Sequence, residues 1–273
     1  MSNILFIGAG NMGQAIINGV LGKNQFNNQD IFIYEVSENI KNEVINKFKV
    51  NYINKIDSKI GGFDIIVLAV KPQVFKNFDS DDEMKKLKDY VTANQTIVSI
   101  MAGVTIKKLE DFFGNDKSIV RVMPNTPSLV GYGASVLSHS KNISQNSLMI
   151  VKEIFLSIGI TEVLPEKYLD AVTGLSGSGP AYVFMFIESL VQGGILCGLT
   201  RDVAEKLATQ TVLGAAMMVG KDKSIEDLRH MVTSPGGTTI EAISQLESRG
   251  FRSAVIEAVR SATNKSIELG KSN

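Results

Sequence analysis

Apolar and polar positions in the first half of the chain follow a repeating scheme. Short, nearly continuous apolar runs occupy Asn3–Ile7, Ile31–Glu35, Asp64–Val70, Thr96–Met101 and Ile119–Met123. Between them lie stretches of helical spacing, such as Met12–Leu21 and Glu38–Phe48. A strand that is apolar on both faces must be covered on both, so the scheme predicts a parallel sheet with helices on either side. Asp79–Lys88 is dense in charge and reads as a solvated helix face or loop. After Val163 the signals change: no further run reads as a strand, and helix starts recur. Pro180 stands where the first turn of a helix tolerates it. Thr200 is placed to cap the next helix, with Asp202 in its first turn. Ser224 with Asp227, and Thr238 with Glu241, have capping-box spacing, and Gly250 suits the end of the last of these helices. The expected architecture is α/β: a doubly wound dinucleotide-type domain over residues 1–164, then an all-helical domain over 165–273.

One segment calls for a separate decision. Ala181–Leu199 is apolar almost all round, which fits either a membrane span or a helix buried against other protein. Glu188, Gln192, Gly193 and Gly194 interrupt it, and burial is the better reading. The composition is that of a globular protein, 44% hydrophobic and 21% charged over 273 residues. Formal net charge is zero, so no global field draws the chain to nucleic acid or an anionic membrane, and neither is expected as a partner. The first strand begins almost at Met1, which leaves no room for a charged leader, and the single cysteine, Cys197, suits a reducing compartment. A cytoplasmic protein is therefore expected. With only His139 and His230 beside that cysteine, a Cys/His zinc site is not expected either.

The chemistry-bearing motifs sit at the ends of the predicted strands. Gly8-Ala9-Gly10-Asn11-Met12-Gly13 is G-x-G-x-x-G, directly after a strand and opening a helix. Its glycines permit a tight turn, backbone approach to a pyrophosphate and close helix–strand packing. Glu35 closes the second strand, where a carboxylate can accept from ribose hydroxyls or simply be solvated. Ala69-Val70-Lys71-Pro72 ends another strand at the edge where ligands lie in such sheets, and Pro72 restricts Lys71 to an extended conformation. Met123-Pro124-Asn125-Thr126-Pro127 offers two neutral hydrogen-bonding groups between prolines, either for a ligand or for a plain turn. Gly174–Pro180 reads as a hinge between domains rather than as a second phosphate loop. Ser234-Pro235-Gly236-Gly237-Thr238-Thr239 precedes a helix whose first amides form a site for a small anion, or an ordinary loop and cap. No Walker-type phosphate loop, nucleophile elbow or helical metal-ligand pair occurs.

In this order and spacing, these segments resemble the pyrroline-5-carboxylate reductase family over essentially the whole chain. Phe6–Gly13, Ala69–Pro72, Met123–Pro127 and Val172–Tyr182 carry the likeness. The run from Asp227-Leu228 through Ser234–Ala242 to Gly250-Phe251-Arg252 is its most specific part. The resemblance implies a Rossmann domain followed by a helical dimerisation domain, in a homodimer or higher homo-oligomer. It implies reduction of 1-pyrroline-5-carboxylate to proline, the last step of proline biosynthesis, with NADH or NADPH as cofactor. Thr239 would place a hydroxyl near the ring nitrogen, and Ser234, Gly236, Gly237 and Thr238 would receive the substrate. Gly8 to Gly13, Ala69 to Pro72, Ala102, Gly103 and Asn125 would line the cofactor. The substrate site would lie between the nicotinamide and the loop before Thr238, completed at the subunit interface. A cyclic iminium is already electrophilic, so a site of glycines and threonines without an acid–base couple suits hydride delivery. At the end of the second strand, many NADPH-using members have a small or basic residue. Glu35 there leans this chain toward NADH.

Two other readings compete. A β-hydroxyacid dehydrogenase would carry a catalytic lysine after its glycine-rich stretch, and this chain has none between Gly179 and Lys206. A nucleotide sensor could keep the Gly8 loop yet would have no use for the Ser234–Thr239 loop.

Overall fold

A computed structural model describes residues 3–272, which pack as two units: residues 3–177 with 262–272, and residues 178–261. The first unit is built on one eight-stranded sheet. Its strands are β1 (Ile4–Ile7), β2 (Ile31–Tyr34), β3 (Asn51–Tyr52), β4 (Ile65–Leu68), β5 (Thr96–Ser99), β6 (Ser118–Met123), β7 (Gly133–His139) and β8 (Gly159–Val163). They lie in the order β3-β2-β1-β4-β5-β6-β7-β8. The first six run parallel, β7 runs antiparallel to β6, and β8 runs parallel to β7. The five expected strands are present, each within two residues of its expected ends. β3, β7 and β8 are additions that the apolar pattern did not announce.

Period-two alternation explains why the central strands are apolar throughout. Ile4 and Phe6 of β1 enter one buried cluster, Leu5 and Ile7 the cluster on the opposite face. Helices α1 (Asn11–Gly22), α2 (Glu38–Phe48), α3 (Pro72–Phe75), α4 (Leu87–Tyr90), α5 (Ile106–Phe113), α6 (Gln145–Leu156) and α7 (Leu169–Val172) complete this unit's connections. Ile16, Ile17, Val20, Val151, Ile154 and Phe155 from α1 and α6 fill one layer, and Leu87, Ile106, Leu109 and Phe113 from α4 and α5 help fill the other. The Asp79–Lys88 stretch is solvated as expected, with exposed pairs Lys85–Asp82 and Lys88–Asp79.

The helical part contains α8 (Gly179–Leu196), α9 (Arg201–Met218), α10 (Ile225–Met231), α11 (Thr238–Ser248) and α12 (Phe251–Ser272), the last beginning directly after Gly250, where the sequence placed the end of the preceding helix. Pro180 stands in the first turn of α8 and Thr200 at the N-cap of α9, though the Thr200 hydroxyl caps nothing. Ser224 and Asp227 form the expected reciprocal box on α10. Thr238 does not cap α11: Gly237 is the N-cap and Thr238 is already the first helical residue. The extended backbone of Gly237 (φ −83°, ψ 173°) does the capping residue's conformational work, which leaves the threonine hydroxyl free. Gly174–Pro180, read from the sequence as a hinge, spans the boundary between the two units at Gly177 and Ser178. Thr173–Gly177 is a π-helical turn.

Within the second unit, only Val191, Ala204 and Ala208 form a buried cluster, with Ile187 and Ile195 against it. Phe184 and Met185 of α8 are 64% and 67% exposed in the single chain. The helical run containing α8 is long and apolar enough to cross a membrane by length and composition, with 6% of its most apolar window buried. Burial of this helix, as expected from its composition, is thus not achieved within one copy of the chain.

Candidate active site

The dinucleotide loop is built by steric necessity. Gly8 adopts φ +91°, a conformation that side chains rarely enter, and a Cβ there would stand 2.9 Å from the Ala69 carbonyl oxygen. Its amide donates to the Tyr34 carbonyl at 2.8 Å, locking the loop to β2. A Cβ on Gly13 would lie 3.2 Å from the Gly8 carbonyl oxygen, so the buried glycine lets α1 sit close against the loop. Around Gly10 the space is open to at least 4 Å. Gly10 is the N-cap of α1, and no side chain caps the helix there. The amides of Asn11, Met12 and Gly13 thus open α1 beside free space, as a pyrophosphate requires. Gly10, Asn11 and Gln14 also line a depression that Leu129 borders from the turn after β6. The loop fits a dinucleotide.

Glu35 follows β2 directly, and its carboxylate is held in place from two sides. One oxygen accepts from the Ala9 amide and the other from the Ser37 amide, each at 2.9 Å. The carboxylate therefore joins the glycine loop to the turn before α2, with lone pairs to spare for further donors. Lys41, the nearest cation in the following sequence, pairs with Glu38 at 2.6 Å and lies over the Tyr52 ring. Burial and the nearby carboxylates of Glu83 and Asp81 push the Tyr34 phenol above its ordinary pKa.

The remaining cofactor candidates in this unit occupy neighbouring strand ends. Ala69 donates from its amide to the Ile7 carbonyl at 2.8 Å, continuing the ladder one step beyond β4. Lys71 is extended (φ −67°, ψ 146°) and exposed, and Pro72 opens α3, as the sequence led us to expect. Val70 is half-buried and packs against the cluster below. After β5, Ala102 is exposed and Gly103 turns with φ +75°. Asn125 follows β6, but both ends of its amide are already engaged. Its Nδ2 donates to the Ser176 carbonyl at 3.0 Å, and its Oδ1 accepts from the Ala134 amide at 2.8 Å. Leu129 and the bond from Gln14 to the Ala9 carbonyl were not foreseen. A lone leucine in a polar turn and a glutamine on a helix carry no distinctive sequence signal.

In the second unit, Ser234–Gly237 bends sharply into α11. Gly236 takes φ +67°, and the Gly237 amide donates to the Ser234 carbonyl at 3.1 Å. A Cβ on Gly237 would lie 2.5 Å from the Ser234 hydroxyl and 3.2 Å from the Ser234 carbonyl oxygen, so a larger residue there would turn the serine side chain away. No side chain caps α11. Gly236, Gly237, Thr238 and Glu241 line an open depression at this helix start. Thr239, in the first turn, is half-buried. Helix amides and hydroxyls together suit a small carboxylate beside a polar group. Among the described residues no cluster of His, Cys, Asp and Glu could hold a metal ion.

A doubly wound sheet bearing this glycine loop, followed by helices with an uncapped glycine turn, is the build of a nicotinamide-dinucleotide oxidoreductase of two-part construction. Residues 3–103 match the family described as "NADP oxidoreductase coenzyme F420-dependent", and residues 166–269 match "Pyrroline-5-carboxylate reductase dimerisation". The chain is 42% identical over 265 residues to pyrroline-5-carboxylate reductase of Glycine max, covering 97% of this chain and 94% of that one. A solved pyrroline-5-carboxylate reductase from Coxiella burnetii superposes with a TM-score of 0.89 at 36% identity, with 98% of both chains covered. The Plasmodium falciparum pyrroline carboxylate reductase with NADP bound gives 0.86, also at 36% identity and 98% of both chains. The chain belongs to the pyrroline-5-carboxylate reductase family.

Proposed function

We propose that this protein reduces 1-pyrroline-5-carboxylate to proline, using the first unit to hold a nicotinamide dinucleotide and the Ser234–Thr239 loop to hold the substrate. The observation that carries the reading is the turn at Gly236-Gly237. It opens an uncapped helix directly after Gly236, whose φ of +67° favours glycine, and beside two threonines. The amides of Gly237 and Thr238 receive the carboxylate, with Ser234 and Gly236 shaping the turn. The Thr239 hydroxyl hydrogen-bonds at the ring nitrogen, orienting the ring and stabilising the amine that forms there. When bound, the reduced nicotinamide supplies a hydride to the imine carbon, and one proton completes the product at nitrogen.

On the cofactor side, Gly8, Ala9, Gly10, Asn11, Met12 and Gly13 hold the pyrophosphate through amides at the start of α1. Glu35 accepts from the adenosine ribose hydroxyls, which favours NADH over NADPH. Ala69, Val70, Lys71, Pro72, Ala102 and Gly103 border the cofactor along the strand ends, while Asn125, at the end of β6, has its amide taken up by Ser176 and Ala134 and leaves the cofactor contacts to them. The functional division is residues 1–164 for the dinucleotide and 165–273 for substrate and dimerisation. The family's dimerisation region includes α8, and a second copy laid on its exposed apolar face completes a homodimer or a larger homo-oligomer. A cytoplasmic setting suits the lone free cysteine, Cys197.

The test is consumption of NADH or NADPH on addition of 1-pyrroline-5-carboxylate, compared with oxidised cofactor plus 3-hydroxy acids. Reduction of the imine with no turnover of hydroxy acids is the expected result. The converse would return the chain to the β-hydroxyacid dehydrogenases, and binding of cofactor without turnover of either would make it a sensor.

A further inference from the structure

The π-helical turn Thr173–Gly177 leads straight into α8, whose first turn contains Pro180. In an α-helical continuation, the carbonyl of Ser176 would accept from the amide four residues on, which is Pro180. Proline has no N–H to give. The next amide along, that of Ala181, donates instead to the Ser178 carbonyl at 3.0 Å. The Ser176 carbonyl is nonetheless satisfied, because Asn125 reaches it with Nδ2 at 3.0 Å across 51 residues of sequence. The amide's orientation is fixed from both sides: the Ala134 amide can only donate, so it faces Oδ1, and the Ser176 carbonyl can only accept, so it faces Nδ2. The turn held this way lies against the end of β6, where a Cβ on Gly177 would come within 2.9 Å of the Met123 Cε.

We propose that Asn125 is a positioning residue that supplies the donor Pro180 lacks, and so locks the π-helical turn against the ligand edge of β6. Its influence on imine reduction, which rests on the function proposed above, runs through that turn and not through grip on the cofactor. The asparagine and the proline are then one device. Proline breaks the regular ladder where the turn must depart from α-helical geometry, and asparagine satisfies the carbonyl left over. π-Helical turns recur at functional sites because they displace backbone from the regular path. Here the displaced backbone borders the strand end where Asn125 stands.

The experiment is a double-mutant cycle on the full-length protein with Asn125→Ala, Pro180→Ala and the pair. Asn125→Ala is expected to lower kcat/KM for 1-pyrroline-5-carboxylate by about tenfold, as the part-buried bond to the Ser176 carbonyl is lost together with the one from the Ala134 amide. In the Pro180→Ala background an amide is present at residue 180 for the Ser176 carbonyl, so the same substitution costs about threefold or less. NADH dissociation constants stay within about twofold in all four proteins, since uniform binding is untouched. Asn125→Asp separates the two bonds and serves if the alanine variant folds poorly. It keeps an acceptor for the Ala134 amide while presenting oxygen to the Ser176 carbonyl, so only the turn should loosen. Amide hydrogen exchange on the cofactor-free proteins reads the same device without any turnover. Residues 173–179 should exchange faster in both Asn125 variants and recover with Pro180→Ala, while Ala134 stays protected in Asn125→Asp. Equal losses with and without Pro180, in exchange as in kcat/KM, would overturn the proposal. So would a rise in the NADH dissociation constant that matches the fall in kcat/KM. If no version reduces the imine, the exchange cycle still decides whether the device exists, and only the assigned activity falls.

Discussion

Replacing Glu35 by serine tests whether one carboxylate chooses the cofactor. In the proposed binding mode, a ribose 2′-hydroxyl of NADH would donate to a carboxylate that the Ala9 and Ser37 amides already hold in position. A hydrogen bond to a charged acceptor contributes about 1.5–3 kcal/mol. With NADPH that hydroxyl is replaced by a phosphate carrying roughly −1.5 to −2 charges. At about 5 Å and an effective dielectric of about 20–40, each such charge costs on the order of 1.5–3 kcal/mol beside a carboxylate. Glu35 is partly exposed and salt screens it, and Lys41 could leave Glu38, since an exposed pair of that kind holds by about 1 kcal/mol or less. A net preference for NADH of about tenfold, roughly 1.4 kcal/mol, is the expected remainder. Serine removes the charge, but it also leaves the Ala9 and Ser37 amides without their acceptor. NADH efficiency should therefore fall more than NADPH efficiency rises, with the ratio moving toward NADPH by about tenfold or more. The assay is kcat/KM for both cofactors in the two proteins at fixed ionic strength. A wild-type enzyme preferring NADPH by about tenfold, and unmoved by Glu35→Ser, would refute the reasoning.

Two further outcomes follow from the second unit. Thr239→Val, nearly isosteric, should lower kcat by one to two decades, about 1.5–3 kcal/mol, while NADH affinity holds, since the glycine loop lies in the other unit; wild-type turnover would remove the hydroxyl from the reaction. The protein should sediment as a dimer or larger at assay concentration, and Phe184→Glu on the exposed face of α8 should dissociate it with loss of activity. In a two-fold interface each substitution counts twice, at about 2–3 kcal/mol per buried phenylalanine, and a stable, active wild-type monomer would exclude the dimer.

The features legible in the sequence share a physical property: their cause is local. The Gly8–Gly13 loop could be read because its glycines, the strand before it and the helix after it are contiguous, and the Ser224–Asp227 box because both partners fall within one turn. β7 and β8 escaped notice for the opposite reason. β7 intersperses Ala134, Ser135 and Ser138 among its apolar residues, and β8, at the sheet margin, exposes Ile160, Glu162 and Val163. Neither shows the unbroken apolar run of a central strand. α12 carries Arg252, Glu257, Arg260, Lys265 and Glu268, and no Ser, Thr, Asp or Asn stands directly before Phe251 to announce its start. At the site, the glycines and threonines could be picked out by type. The attachments of Glu35 to Ala9 and of Asn125 to Ser176 depend on packing across 26 and 51 residues of sequence, which no local pattern encodes.

The reversal of β7 has a consequence for how the chain tolerates changes in length. β8 follows β7 downward, so the chain passes Val163, level with Leu137 and Val122, heading away from the ligand edge. Residues 166–177 bring it back. At about 1.5 Å per residue this helical stretch climbs roughly 16 Å, close to the length of a five-residue strand. It is fastened low by Glu166, whose carboxylate accepts from Arg121 at 2.9 Å and from the Ile106 amide at 2.8 Å, and high by Asn125 on the Ser176 carbonyl. A helix tied at both ends has its phase fixed as well as its length. One residue inserted between the ties would turn everything beyond by about 100° and lift it by about 1.5 Å, so one fastening must let go. Insertions that a surface loop would absorb are therefore excluded from this return stair, and natural or engineered length variants should cluster elsewhere, in the turns before Glu166 and after Leu196.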